Sequence, residues 1–246
     1  MRTQRLYIDE KRLSRPLIDL TESERKYLLK VLRFAEGARL EIGDGKGGVW
    51  EARLVKESGK YIIELGEAIA IVGEKSKPPL SLILCIPKGD KLKNALHFAV
   101  ELGASEIFFA VSERTVARPE EKKLADKLER YEETVKQAAA QAGRSDLPGL
   151  RAPMPLFDAL SMAPEGTNLF FWEEEKKRLR ELAEALDFNA PVTAVIGPEG
   201  GFSPREAEAA RKAGFYIVGL GEEILRVDTA VASILTLLQF YRRRIG

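Results

Sequence analysis

The chain has 246 residues but one cysteine, Cys85, and one histidine, His97. That scarcity excludes a disulfide framework, and no metal centre is expected. A serine–histidine–aspartate site would have to use His97, which lies in "NALHFAVELG" and reads as a packed helix residue. No apolar run approaches the roughly 18 residues of a membrane-spanning helix. The opening "MRTQRLYIDEKRLSR" lacks the apolar stretch of a secretory signal. Charge of one sign is missing too, since 39 Lys+Arg balance 38 Asp+Glu to within +1. These absences predict a cytoplasmic chain with no membrane partner.

What is present divides in two. Residues 1–60 carry 14 Lys+Arg against 10 Asp+Glu, and the remainder carries 25 against 28. The slight positive excess therefore sits near the start, either to meet an anion or as ordinary solvated charge. Residues 1–72 read as a small, mostly β domain. "RLYI" alternates as a strand, and "GDGKGG" is a hairpin turn between alternating strands. Thr21 and Glu24 make a capping box for a helix whose apolar stripe is Tyr27, Leu28, Val31 and Leu32. Strands broken by tight turns predict a β-barrel. Pro78 and Pro79 in the polar "VGEKSKPPL" mark a linker at 73–79.

Residues 80–246 alternate apolar strands with helices, which predicts an α/β domain with a mostly parallel sheet. The strands are "LSLILCIP", "EIFFAV", "NLFFW", "VTAVI" and "FYIVGL". The helices are "DKLKNALHFAVELG", "PEEKKLADKLERYEETVKQAAAQAG", "EEEKKRLRELAEAL", "SPREAEAARKAG" and "DTAVASILTLLQFYRRR". The last helix is apolar on nearly every side from Val231 to Tyr241. Such a helix needs cover from both directions, from its own chain or from a second copy.

The stretch "VIGPEGGFSPREAE" crowds three glycines and a proline between a strand and a helix. Glycine has no Cβ, so a ligand can lie directly on the main chain. The carboxyl end of a parallel strand is where α/β sheets take ligands. Ser203, Pro204 and Glu206 fix the helix start. The turn lacks the G-x-G-x-x-G spacing of a nicotinamide site, and the chain has neither a P-loop nor G-x-S-x-G. What remains is a neutral or cationic ligand against bare backbone, or a tight structural turn. A second glycine turn, "VGLGEEILRVDTA", also joins a strand to a helix. Lying after successive strands, the two turns are expected side by side. Together they would form a slot walled by backbone and by Leu220, Ile224 and Leu225, which suits a flat base such as adenine.

"VIGPEGGFSPREAE", "AGF" and "VGLGEEILRVDTAVASIL" together resemble the signature of the SPOUT superfamily of S-adenosylmethionine-dependent RNA methyltransferases. The closer resemblance is to the family that methylates N3 of a uridine in 16S ribosomal RNA. It extends to "PKGDKLKNALHFAVELGASEIFFAVSERTV", to "KQAAAQAGRSDLP", and to "LLKVLRFAEGARLEIGDGKG", which is similar to the barrel of the PUA RNA-binding fold. Two positions depart from the family pattern. Val227 stands where the family has threonine, and Asp228 where it has glutamate, a carboxylate of shorter reach. The resemblance implies a deep trefoil knot over about residues 168–230, a homodimer joined near the knot, and the 30S subunit as context. A ribose 2′-O or other base methyltransferase of the superfamily, and a non-catalytic rRNA-binding assembly factor, are the alternative readings.

The resemblance assigns roles. S-adenosylmethionine would be held by backbone and apolar groups of Ile196, Gly197, Gly200, Gly201, Leu220, Gly221, Ile224, Leu225 and Thr229. Trp172 and Glu173 would form a third wall. Glu199 would either face the sulfonium or serve as a carboxylate at a helix N-terminus. Arg226 is the catalytic candidate, stabilising negative charge on the uracil, with a surface ion pair as the alternative. Asp228 would accept the N3 proton or cap the final helix. Arg114 and Arg144 match family arginines suited to phosphate or base contacts, with Gln141 orienting Arg144 or touching the nucleotide. Arg2, Arg5, Arg15 and Arg33 are candidate RNA-backbone contacts, with solvated surface charge as the alternative for each.

Overall fold

A computed structural model describes residues 4–71, 78–89, 91–116 and 124–245. Arg2 and most of the expected linker lie outside the described residues. The chain divides into two compact units, Met1–Ser76 with Ala139–Leu147, and Lys77–Ala138 with Pro148–Gly246.

The first unit is built on strands β1 (Arg5–Tyr7), β2 (Leu17–Asp19), β3 (Arg39–Gly43), β4 (Gly48–Glu57) and β5 (Lys60–Ile71). They form one sheet in the order β1-β3-β4-β5-β2, antiparallel except for β1 on β3. Leu28, Ile42, Leu54 and Ile63 are fully buried at its core. Helix α1 (Glu22–Lys26) starts at the expected box, with the Glu24 amide donating to Thr21 Oγ1. It continues as one π-helical turn, Tyr27–Val31. The wider turn breaks the expected stripe: Leu28 is buried while Val31 is left 62% exposed.

The second unit carries β6 (Leu80–Cys85), β7 (Glu106–Val111), β8 (Gly149–Pro155), β9 (Thr167–Phe171), β10 (Val192–Ile196) and β11 (Tyr216–Val218). Every neighbouring pair is parallel, in the order β11-β9-β10-β6-β7-β8. Helices α2 (Lys91–Glu101), α3 (Leu124–Ala142), α4 (Leu156–Ser161), α5 (Leu179–Leu182), α6 (Pro204–Lys212) and α7 (Val227–Tyr241) follow the strands. Helices α4 and α6 pack with Ile83, Phe108, Phe170 and Val195, and α7 packs on α2 and β10. Sheet residues buried on both faces explain why the strands read as continuous apolar runs.

Three expectations are corrected. The turns after β10 and β11 do not follow adjacent strands, because β9 lies between them. The stretch after β9 is not one long helix. Residues 172–178 form an irregular loop, followed only by the four-residue α5 and a 3-10 turn at Ala183–Ala185. Strand β8 is an element the sequence pattern hid, since Pro153 and Pro155 argue against a strand and are tolerated only because β8 is at the sheet edge.

Candidate active site

The carboxyl ends of β9, β10 and β11 enclose a cavity of about 290 Å³, near the lower bound of roughly 300 Å³ for small-molecule pockets. Ile196, Gly197, Pro198, Glu199, Gly200 and Gly201 form one wall. Leu220, Gly221, Ile224 and Leu225 form the facing one. Trp172 and Glu173, at the start of the loop that follows the intervening strand β9, close the gap between the two glycine turns. The floor is supplied by α7 through Val227, Ala230 and Ile234, which the sequence reading missed. Thr229, one turn position away, is exposed and not part of the lining.

Both turns are shaped by close approach. Gly201 has φ +65°, and a Cβ there would fall 1.6 Å from Glu173 Oε1. At Gly219 a Cβ would meet the Glu175 carbonyl oxygen at 2.1 Å. The Trp172 amide donates to the Val218 carbonyl and the Gly219 amide to that of Lys177, both at 2.9 Å. Arg178 Nη1 donates to the Gly221 carbonyl at 2.6 Å. That bond engages a carbonyl; among the described residues, the amides of 220–225 have no main-chain partner. They are donors available to a ligand.

The lining has a distinct charge. It holds Glu173, Glu199, Glu222 and Glu223 and no lysine or arginine. The carboxylates disfavour a phosphate-bearing cofactor there and favour a cation. The carboxylate of Glu199 is directed elsewhere. It accepts the Lys88 amide at 3.1 Å and Lys91 Nζ at 2.9 Å, tying down the loop after β6. Burial would raise its pKa, but the bonds from Lys91, its own amide and Lys88 outweigh burial and hold it below the usual carboxylate value. Cys85 is fully buried, and burial pushes its thiol pKa up, so it offers no nucleophile. Among the described residues, no group of three or more His, Cys, Asp or Glu is placed to hold a metal, and no helix is long and apolar enough to cross a membrane.

Arg226 and Asp228 alternate with lining residues at the mouth. Arg226, not Asp228, occupies the N-cap position of α7, and its side chain makes no capping bond. Its guanidinium is exposed and, among the described residues, has no hydrogen-bond or ion-pair partner. Asp228 lies in the first helical turn, where its carboxylate accepts the Thr229 amide at 3.1 Å and Asn94 Nδ2 at 3.3 Å. Arg114 also reaches this rim, with Nη1 donating to the Gly200 carbonyl at 2.9 Å. Its loop is pinned by Glu206, 1% exposed, which accepts the Glu113 amide at 2.8 Å and the Ser203 amide at 2.9 Å. The capping box predicted Glu206, but not its second bond.

The remaining basic candidates belong to the first unit. Arg5 is paired with Glu41 and bonds the carbonyls of Gly143 and Arg144, while Tyr7 donates to the Arg144 carbonyl at 2.6 Å. Arg144 pairs with Asp146 at 2.8 Å, and Gln141 precedes it on the same segment. These arginines are held by protein contacts, unlike Arg15 and Arg33, whose side chains are exposed. Arg33 has φ 55°, an uncommon conformation for a non-glycine residue.

Comparison with known proteins places this geometry. An RNA methyltransferase domain matches residues 74–239, and an RNA methyltransferase PUA domain matches residues 20–64. Ribosomal RNA small subunit methyltransferase E of Synechocystis is 30% identical over 231 residues, 92% of this chain and 74% of that protein. A methyltransferase of Legionella pneumophila, solved with bound SAM, superposes with a TM-score of 0.87 at 27% identity over 98% of both chains. Ribosomal RNA small subunit methyltransferase E of Neisseria gonorrhoeae, bound to S-adenosyl methionine, gives 0.82 at 27% identity over 97% of this chain and 98% of its own. With a domain match over most of its length and a relative at this identity, the chain belongs to the RNA methyltransferase family that includes ribosomal RNA small subunit methyltransferase E.

Proposed function

We propose that this protein methylates N3 of a uridine in 16S ribosomal RNA, using S-adenosylmethionine. The observation that carries the reading is the acid-lined cavity with free main-chain amides on one wall and no basic side chain. That donor set and charge fit a cofactor that joins a flat adenine to a sulfonium cation. When bound, the cofactor supplies an electrophilic methyl group. The amides of 220–225 would read the adenine edge, and Ile224, Leu225 and Trp172 would shield it from water. Glu173, whose carboxylate lies over Gly201, would face the positive charge.

The uracil imide must lose its proton for N3 to act as a nucleophile. The unpartnered guanidinium of Arg226 is suited to stabilise the anion. Asp228, steadied by Asn94, is suited to take the proton. Arg114 on the rim, together with Gln141 and Arg144 and the basic residues Arg2, Arg5, Arg15 and Arg33, is assigned to the RNA. We retain the division into an RNA-binding domain over 1–72, a linker at 73–79 and a methyltransferase domain over 80–246. The pairing of β11 with β9, not with the preceding strand, supports a knot over 168–230. Leu237 and Phe240 on α7, 39% and 57% exposed, support a homodimer through that helix. A 30S substrate places the enzyme in the cytoplasm.

Mass mapping of 16S rRNA from cells lacking the protein tests the reading. One uridine should lose its N3 methyl and regain it when the gene is restored. Intact methylation in those cells would overturn the assignment.

A further inference from the structure

The facing wall of the cavity has no secondary structure of its own. Residues 220–226 lie between β11 and α7 without regular structure, bending at Glu222 and Glu223, and Ile224 is 87% exposed. Something outside the segment must hold it over the cavity. The contacts given above converge on the loop after β9. That loop lies against Gly219 through the Glu175 carbonyl and accepts the Gly219 amide at Lys177. Its last fastening is Arg178 Nη1 on the Gly221 carbonyl. Arg178 is itself seated, since its amide donates to Glu181 Oε1 at 3.0 Å at the start of α5 and its main chain bridges to Gly219. No other side chain among the described residues bonds the main chain of 220–225.

We propose that Arg178 is a positioning residue that holds the second glycine turn over the cofactor cavity and thereby sets cofactor affinity. Arg178 does not line the cavity and acts only through Gly221. A guanidinium suits the task because it donates in a fixed plane while its partner remains a single carbonyl. The proposal rests on the cofactor reading given above. It adds that a residue outside the cavity determines how tightly that cofactor is held.

The test compares Arg178→Ala and Arg178→Lys with the unaltered protein, using S-adenosylmethionine calorimetry, binding of a 16S rRNA fragment and thermal melting. Hydrogen exchange of the Gly219 amide is measured without cofactor. Arg178→Ala should raise the cofactor Kd by about 10- to 100-fold, the range for one hydrogen bond to a charged group. RNA affinity should be unchanged, and Arg178→Lys should lie between. Gly219 exchange should quicken in the alanine variant, because the bond to Lys177 loses its neighbour. Unaltered cofactor affinity in Arg178→Ala overturns the proposal, as does a general loss of RNA binding and melting temperature. If the unaltered protein binds no S-adenosylmethionine, the functional reading fails instead. Gly219 exchange then still decides whether Arg178 holds the turn.

Discussion

Gly219→Ala isolates the close packing of the loop after β9 on the second glycine turn. An alanine Cβ would stand 2.1 Å from the Glu175 carbonyl oxygen and 3.0 Å from Arg178 Nη1. The first neighbour is main chain, so it cannot rotate away as a side chain would. Residues 175–178 would have to retreat by roughly 1 Å to restore van der Waals separation. That retreat stretches the Gly219–Lys177 bond and the Arg178–Gly221 bond. A neutral hydrogen bond contributes about 1 kcal/mol and one to a charged group about 1.5–3 kcal/mol. The combined loss of about 2.5–4 kcal/mol falls on the wall of the cavity, and corresponds to a cofactor Kd raised roughly 60- to 700-fold.

Gly201→Ala is the internal comparison. Its Cβ would collide with Glu173 Oε1 at 1.6 Å, yet Glu173 is exposed and its carboxylate can swing aside. What remains is the positive φ, which costs an L residue about 1–2 kcal/mol, or roughly tenfold in affinity if the turn is bound in that conformation. Isothermal calorimetry on both variants should therefore rank Gly219→Ala as the weaker binder. Wild-type affinity in Gly219→Ala, or the reverse ranking, would refute the packing argument.

Three further outcomes are expected. Arg226→Ala should lower kcat by about a hundredfold or more, with cofactor Kd unchanged because its side chain is not part of the cavity lining; an equal loss in calorimetry would move Arg226 from catalysis to binding. Glu206→Ala leaves the Glu113 and Ser203 amides without their acceptor in a buried place, at about 1–3 kcal/mol each. Differential scanning calorimetry should show a fall of about 5–15 °C, with Glu206→Gln losing less because one acceptor oxygen survives. Glu199 has a folded pKa below its unfolded value, so its contribution is present above the ordinary carboxylate pKa and is lost as pH falls through the depressed one. The urea midpoint difference between wild type and Glu199→Gln should be constant from pH 7 to pH 5 and shrink below about pH 4; a difference that grows on acidification would contradict the clamp on Lys88 and Lys91.

The parallel sheet was legible because strands buried on both faces are mostly apolar, and β6 and β10 are fully buried with a single small polar residue each, Ser81 and Thr193. Strand order was not. "VTAVI" and "FYIVGL" are consecutive in sequence, yet β9 lies between them. Nothing in the apolar run of β11 distinguishes pairing with β9 from pairing with β10. The lysine- and glutamate-rich stretch after β9 was misread for a different reason. Its residues favour helix locally, but that preference amounts to only tenths of a kcal/mol per residue. The hydrogen bond from Gly219 to Lys177 and the packing at Glu175 outweigh it and hold the loop open.

The site was legible where function demands an absence. Gly197, Gly200, Gly201 and Gly221 are conspicuous because a missing side chain is visible in a sequence, and all four line the cavity. What presses on such a glycine is harder to see when the contact is a main-chain atom. Glu175 meets Gly219 through its carbonyl, which any residue at position 175 would supply, so side-chain identity carries no record of the contact. Arg178 differs, because its bond to Gly221 needs a long cationic side chain. Yet in a run of glutamates, lysines and arginines it resembles its solvated neighbours. The charge logic of the cavity was hidden similarly. Glu173, Glu222 and Glu223 come from two segments some fifty residues apart and become one anionic lining only when β9 and β11 pair. An acid-lined pocket thus arises from strand pairing, with glycine marking its walls and ordinary-looking charged residues setting its charge.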